Sequence, residues 1–536
     1  MLATLLSATV VGLDGRVIRV EVDVAGGLPG FTIVGLADAA LQEARERVRG
    51  AIRNAGYVHP PRRITVNLAP AEQRKAGASL DLAIAMGLLL GSEQVRAAPG
   101  RIAMIGELSL GGEVRPVPGI LPMTAALARR GVRRVVVPDT TAEEAALAEG
   151  IEAIGVATLR DAVEIVRRRS GRRALTLPPR VDLGVDPDKR PAASVAGSAA
   201  APAVVPSPPL GAFAVPLEVA DLAEVRGQIE ARRGLEIALA GGHGLLLVGP
   251  PGSGKTLLAR TIPGLLPPLG DAEALAATIV ASIAGESPRE LVRRAPVRAP
   301  HHTLSYAAMV GGGPRMSPGE VTLADHGVLF LDELPEFSRD VLEALRQPLE
   351  EGRVSVARVG RATTFPARFQ FVAAMNPCPC GHAGDGTGRC RCGPDVPARY
   401  TGRVSGPLRD RIDLWVTMPK VAPAALIAGE EPERSSIVAE RISCARTIQR
   451  TRGGRLNGRV SGRELRSICR LSAVSARRAI ELADLEGLSG RGTERLLRVA
   501  RTIADLAADP TVLGRHLEEA ARFRSPAARL DAREAG

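Results

Sequence analysis

Lysine is almost missing from this chain. Of its 70 basic residues only Lys75, Lys189, Lys255 and Lys420 are lysines, so nearly all of the net charge of +12 is carried by arginine. That skew, beside heavy use of alanine and glycine, is what a GC-rich coding bias produces, and the basic balance alone does not single out nucleic acid as a partner. Long apolar runs are missing too: none reaches the length of a membrane span, and no basic region precedes the short apolar stretch at the amino terminus. These absences argue against membrane-spanning and exported classes and point to a soluble, cytoplasmic protein. Cysteine is scarce, with six residues in all, and four of them fall between positions 378 and 392. In such a compartment clustered thiols suggest a metal before a disulfide.

What is present is ample apolar material, 45% hydrophobic over 536 residues, enough for roughly two to four domains. Residues 1–169 alternate β-rich runs such as Ile64 to Leu68 with helical patterns such as Ala37 to Asn54 and Leu80 to Leu90, which predicts an α+β domain. Residues 170–217 turn to Pro, Ala, Val and Ser without periodicity, the composition of a flexible linker. An α/β core is expected over 218–425, with a Cys-rich insertion at 376–393. An all-helical region is expected over 430–524 and a disordered tail over 525–536.

The chemistry sits in the third of these segments. Gly249-Pro250-Pro251-Gly252-Ser253-Gly254-Lys255-Thr256 follows the apolar run Leu245 to Val248, the strand–loop–helix setting of a phosphate-binding loop. Glycines let backbone N–H groups turn toward phosphates, Lys255 reaches the outer phosphates as a point charge, and the Thr256 hydroxyl can ligate Mg²⁺. A second buried-type strand, Gly327 to Leu331, delivers Asp332 to hold Mg²⁺ and Glu333 to polarise water. A third, Phe369 to Met375, ends in Asn376, an amide able to orient the attacking water or sense the γ-phosphate. Lysine, acid pair and amide at three strand ends point to ATP hydrolysis with Mg²⁺. Gly227-Gln228 and the following helix stand where an adenine pocket is expected.

Cys378, Cys380, Cys390 and Cys392 form two C-x-C pairs around a glycine-rich loop that can fold back so that four thiolates meet around Zn²⁺. His382 is an alternative ligand, and free reduced thiols are the plainer reading. After a helix capped by Ser338 and ended by Gly352, the stretch Val354 to Phe365 reads as a β-hairpin with Arg358 and Arg361 flanking its tip. The hairpin suits either gripping a DNA backbone within a ring or simple solvation of charged edges.

Longer motifs carry a family resemblance. They are Arg298 to Thr303, Val310 to Gly313, Pro318-Gly319-Glu320, Leu331-Asp332-Glu333-Leu334-Pro335-Glu336-Phe337, Met375 to Gly381, and Ser405 to Leu414. Together they resemble the YifB/ComM family of magnesium-chelatase-like AAA+ ATPases over nearly the whole chain. The resemblance implies a P-loop AAA+ core with a parallel sheet, a Lon-protease-like α+β domain in front and a helical lid behind. It also implies a homo-oligomeric ring, a hexamer, with ATP bound between subunits. Arg411 then stands at the position of an arginine finger reaching the neighbour's γ-phosphate, with a salt bridge to Asp410 or Asp413 as the structural alternative. Arg491, in Ser489-Gly490-Arg491-Gly492, resembles a second sensor contacting ATP in its own chain, with Arg495 as competitor. The His301-His302 pair is read as part of an insertion loop facing the pore or as packing. In the front domain Ser79 matches the protease nucleophile, but Leu121 stands where the activating lysine belongs. A serine without a base is a poor nucleophile, so that domain is expected to be proteolytically inactive.

ComM-like members of the family act as ring helicases in branch migration, which makes a DNA-translocating ATPase the leading reading, with single-stranded or branched DNA as partner. A chelatase motor driving metal insertion into a porphyrin is the alternative, although the Lon-like domain and the four cysteines are not expected there. An ATP-assembled DNA-binding scaffold is the non-enzymatic one, and Glu333, Asn376 and Arg411 weigh against it.

Overall fold

A computed structural model describes residues 1–35, 39–70, 78–96, 102–167, 219–313, 316–358, 361–384, 386, 388–427 and 431–524. The expected linker at 170–217, the tail at 525–536 and Lys75 lie outside the described residues. The chain divides into two compact units, one essentially residues 1–211 and the other the remainder.

The first unit is built on a seven-stranded mixed sheet in the order Gly30–Val34, Arg63–Ala69, Asp14–Ala25, Leu2–Val11, Ile102–Met104, Arg134–Pro138, Glu152–Val156. Its longest pairing is the antiparallel ladder from Leu2↔Asp23 to Val11↔Asp14. In Asp14–Ala25 every second residue, Ile18, Val20, Val22 and Val24, is buried, the period-2 pattern that fixes which face of a strand meets the core. Helix Asp81–Gly91 is apolar on nearly every side and buried along almost its whole length.

The second unit centres on a five-stranded parallel sheet in the order Val297–Arg298, Val328–Leu331, Gln370–Met375, Leu245–Val248, Leu414–Thr417. Val328–Leu331 and Gln370–Met375 are buried at every position, which is why both read as continuous apolar runs. Because all strands are parallel and adjacent, the residues immediately after Val248, Leu331 and Met375 emerge along one edge. Ser338 caps helix Arg339–Ala344 by accepting from the Val341 N–H at 3.4 Å. The expected single helix breaks at Leu345, and Arg346–Glu351 continues the chain. Pro348 lacks the N–H that would bond the carbonyl four residues back. The hairpin forms as expected, Arg353–Arg358 against Arg361–Pro366 with Arg358 opposite Arg361. The side chains of those two arginines lie outside the described residues.

Helices Ser435–Gly453, Gly462–Cys469, Ala473–Leu485, Gly490–Leu506 and Gly514–Arg522 pack on this sheet and share its core. Ile442, Leu496, Ile503 and Leu517 sit fully buried in one cluster with Leu245, Phe330 and Leu414. Each such side chain contributes about 1.5–3 kcal/mol. A buried polar network fastens the same seam: His243 sits between Asp413 at 3.2 Å and Thr502 at 2.7 Å, while Asn457 reaches Thr502 and Asp505. Among the described residues no helix is long and apolar enough to cross a membrane.

Candidate active site

Gly254 adopts φ +91° at the start of helix Lys255–Arg260, a left-handed turn open to glycine at little cost. The turn aims Lys255 back across the loop. Its Nζ donates to the carbonyls of Gly249 at 2.6 Å and Pro250 at 2.9 Å and to Asn376 Oδ1 at 3.1 Å. Burial holds this ammonium below the usual lysine range, although Asp332 and Glu333 oppose the shift. The Ser253 hydroxyl in the same loop is buried without a hydrogen-bond partner. A desolvated ammonium and an orphaned hydroxyl among loop N–H groups fit a phosphate group. Gln228 braces the loop from behind, donating to the carbonyls of Ser253 at 3.0 Å and Pro419 at 2.7 Å.

One residue on, the Thr256 hydroxyl donates to Asp332 Oδ2 at 2.6 Å. A hydroxyl and a carboxylate touching at the mouth of a phosphate loop are the oxygen donor set that Mg²⁺ takes. Glu333 adopts φ +51°, a left-handed conformation uncommon for a side chain of this size and a form of strain that clusters at functional sites. Its Oε2 lies 3.1 Å from His302 Nδ1. His302, read from the sequence as facing a pore or merely packing, therefore meets the second carboxylate of the acid pair. The signal that could have located it is the pairing of Val297–Arg298 beside Val328–Leu331, which no local pattern reveals.

Arg411 does not join this group. It precedes Leu414, which pairs with Leu245 at the amino end of the sheet, so it stands on the edge opposite Lys255. Neither expected salt bridge forms. Arg411 pairs with Glu350, while Asp410 is held by Arg495 and Asp413 by His243. Burial, then the positive charges of Arg491, Arg346 and Arg495, push the Arg411 guanidinium below its ordinary range. Arg491 is exposed in the first turn of Gly490–Leu506, close enough to Arg411 for its charge to be felt there. Arg495, buried and bonded to the Asp410 carbonyl at 2.6 Å, anchors the helix on that side.

The four clustered thiols converge. Cys378 Sγ lies 3.3 Å from Cys380 and 3.9 Å from Cys390, Cys380 lies 3.7 Å from Cys390, and Cys392 lies 3.4 Å from Cys380. Tetrahedral zinc with 2.3 Å bonds would hold sulfurs about 3.8 Å apart, so the set is of the right size, without His382. Backbone N–H groups of His382 and Arg391 push the Cys380 thiol down to about 6. The loop packs on the phosphate loop: a Cβ added to Gly381 would lie 2.4 Å from Pro251 Cδ.

In the first unit Ser79 is buried and its hydroxyl donates to the Ala8 carbonyl at 3.0 Å. Leu121 is buried as well, and Asp81 is tied to Arg47 at 2.7 Å.

A parallel sheet presenting a phosphate loop, an acid pair and an amide along one edge defines a P-loop ATPase core carrying a helical lid. Family models described as magnesium chelatase, subunit ChlI, match residues 221–426. Those described as subunit ChlI of Mg-chelatase match 20–141, and the ChlI C-terminal model matches 432–524. The chain is 40% identical over 527 residues to an uncharacterised protein YifB of Salmonella typhimurium, covering 98% of this chain and 97% of the relative. It is 41% identical to YifB of Escherichia coli, covering 96% and 95%, and 39% identical to competence protein ComM of Haemophilus influenzae, covering 98% and 97%. The chain belongs to the YifB/ComM family of magnesium-chelatase-like AAA+ ATPases, and ATPase activity with ATP and Mg²⁺ is what that membership implies.

Proposed function

We propose that this protein is an ATP-driven ring motor that moves DNA, a branch-migration helicase of recombination or DNA uptake. The observation that carries the hydrolytic part is the contact set Lys255–Asn376 and Thr256–Asp332 at the mouth of the phosphate loop. End-to-end similarity to a protein named for competence supports the DNA part, together with a hairpin bringing Arg358 and Arg361 opposite each other at its tip.

In this reading Lys255 binds the outer phosphates and Asn376 orients the attacking water. Glu333 draws the proton from that water once it parts from His302. Asp332 and Thr256 hold Mg²⁺, which supplies charge neutralisation at the phosphates. Arg411 and Arg491, grouped on the opposite edge, serve the site of the neighbouring subunit, so a ring, a hexamer, is the working form. Arg411 answers to Glu350 in the helix that feeds the hairpin, giving the trans-acting cation a direct link to the DNA-facing element. The front domain, with Ser79 bonded to a backbone carbonyl, serves assembly or partner contact and not proteolysis. The cysteine set holds a structural Zn²⁺ that keeps its loop against Pro251.

ATP turnover measured against single-stranded, duplex and branched DNA tests this reading. Turnover should rise several-fold with branched or single-stranded DNA, and a rate indifferent to all three would refute the motor assignment.

A further inference from the structure

The amino ends of three core strands and the lid enclose a cavity of about 150 Å³ that ATP hydrolysis does not use. Gly242 lies just ahead of Leu245–Val248, Gly327 ahead of Val328–Leu331, and Arg368 ahead of Gln370–Met375. Lys255, Asp332 and Asn376 lie past the other ends of those strands. At a rise of about 3.3 Å per residue, strands of four to six residues set the two regions about 13–20 Å apart.

Arginine dominates the wall. Arg368 comes from the core, and Arg446, Arg450, Arg455 and Arg459 come from helix Ser435–Gly453 and the segment after it. Three of them meet carboxylates: Arg368 meets Asp325 at 3.2 Å, Arg450 meets Glu273 at 2.9 Å, and Arg455 meets Glu464 at 3.8 Å. The other two are held by main-chain oxygens. Arg446 donates Nε and Nη2 to the Leu239 carbonyl at 2.9 and 2.7 Å, and Arg459 donates Nη2 to the Arg368 carbonyl at 2.8 Å.

A carbonyl fixes a guanidinium's position without cancelling its charge, so both forks keep N–H groups to give. The electrostatics agree. Burial, then the charge of Arg450, pushes Arg446 down to about 10, and burial, then Arg368, lowers Arg459. His326 on the same wall is lowered by burial. Glu273 opposes the shift at Arg446, and Asp325 and Glu273 oppose it at Arg459, yet both guanidinium groups stay below their ordinary range, with five arginines on the wall against the three carboxylates they meet. A carboxylate is planar and saturates one arginine fork. The several terminal oxygens of a phosphate group can accept from more than one fork, and five arginines line this cavity.

We infer that this cavity is a phosphate-binding site, separate from the ATP site, in which one phosphate group bridges the core arginine Arg368 and the lid arginines Arg446 and Arg459. The group belongs either to a DNA strand or to a free polyphosphate, and the inference stands whether or not DNA stimulates turnover.

The test uses the full chain with Lys255→Ala, which weakens phosphate binding at the ATP site. Pyrophosphate and a short single-stranded oligonucleotide are titrated calorimetrically into this protein and into the same protein carrying Arg459→Ala or Arg446→Gln. Melting curves check that each variant is folded. Arg459, whose side chain is bonded to a single carbonyl, is the variant least able to disturb the fold. At least tenfold weaker pyrophosphate binding with the oligonucleotide unaffected identifies a free polyphosphate site. At least tenfold weaker oligonucleotide binding, with a salt slope reduced by about 0.7 per lost contact, identifies a strand phosphate. Affinities for both probes that stay within twofold in the folded Arg459→Ala protein overturn the inference.

Discussion

Lys255 spends its hydrogen bonds on three oxygens of its own chain while burial weakens its hold on the proton. An incoming phosphate exchanges those neutral partners for charged ones, which are stronger by roughly a factor of two. Lys255→Ala should therefore lower ATP turnover at least 100-fold in a steady-state assay. Glu333→Gln should do the same while leaving nucleotide binding within a few-fold, because a water-polarising group contributes about 10²–10⁴-fold to rate and little to binding. His302 holds the same carboxylate at 3.1 Å, so His302→Ala should alter kcat and leave KM for ATP nearly unchanged. The phosphate loop, Asp332 and Asn376 were legible in the sequence because each sits in a contiguous motif at a strand end. The partners His302 of Glu333, Glu350 of Arg411 and Asp410 of Arg495 were not. Each depends on strand order or on contacts across tens of residues, and the nearer acids Asp410 and Asp413 offered false answers for Arg411.

The elements around the site differ in how they are held. The cysteine loop is short and glycine-rich, and its tie to the phosphate loop is the packing of Gly381 on Pro251. Replacing Cys378 and Cys390 by serine should reduce bound zinc from one per chain to near zero, read by metal analysis, and raise KM for ATP several-fold. The spacing made a four-thiol site readable, but the Pro251 contact was invisible because 130 residues separate its partners. The lid seam rests on a buried acid. Burial pushes the Asp413 carboxyl up, yet His243 and the charges of Arg498 and Arg495 more than offset it and leave it below the usual carboxylate range. A depressed folded value means that this stabilisation is complete above about pH 4, the ordinary carboxylate value, and is lost as pH falls through the lower folded value. Asp413→Asn should cost about 3 kcal/mol at pH 7 by denaturant melting, and its gap to wild type should close below about pH 4. The hairpin and the Ser338 cap were both foreseen from local chemistry. The helix break at Leu345 was not, although Pro348 was in plain view.

At the scale of the molecule the sheet separates two sets of groups. One edge carries the phosphate loop, Asp332, Glu333 and Asn376, and the opposite edge carries Arg411 with Arg491 beside it. The two sets lie at opposite edges of one sheet, and in the ring proposed above neighbouring copies would juxtapose them at each seam. The central claim is thus that the catalytic pocket is shared between neighbours. Its most direct test mixes Arg411→Ala protein with Glu333→Gln protein, each inactive alone and each shown to assemble. A shared pocket predicts that equal mixing restores about a quarter of the wild-type turnover, since one seam in four then pairs an intact Glu333 with an intact Arg411. Turnover that stays at the level of the separate variants at every mixing ratio would contradict it.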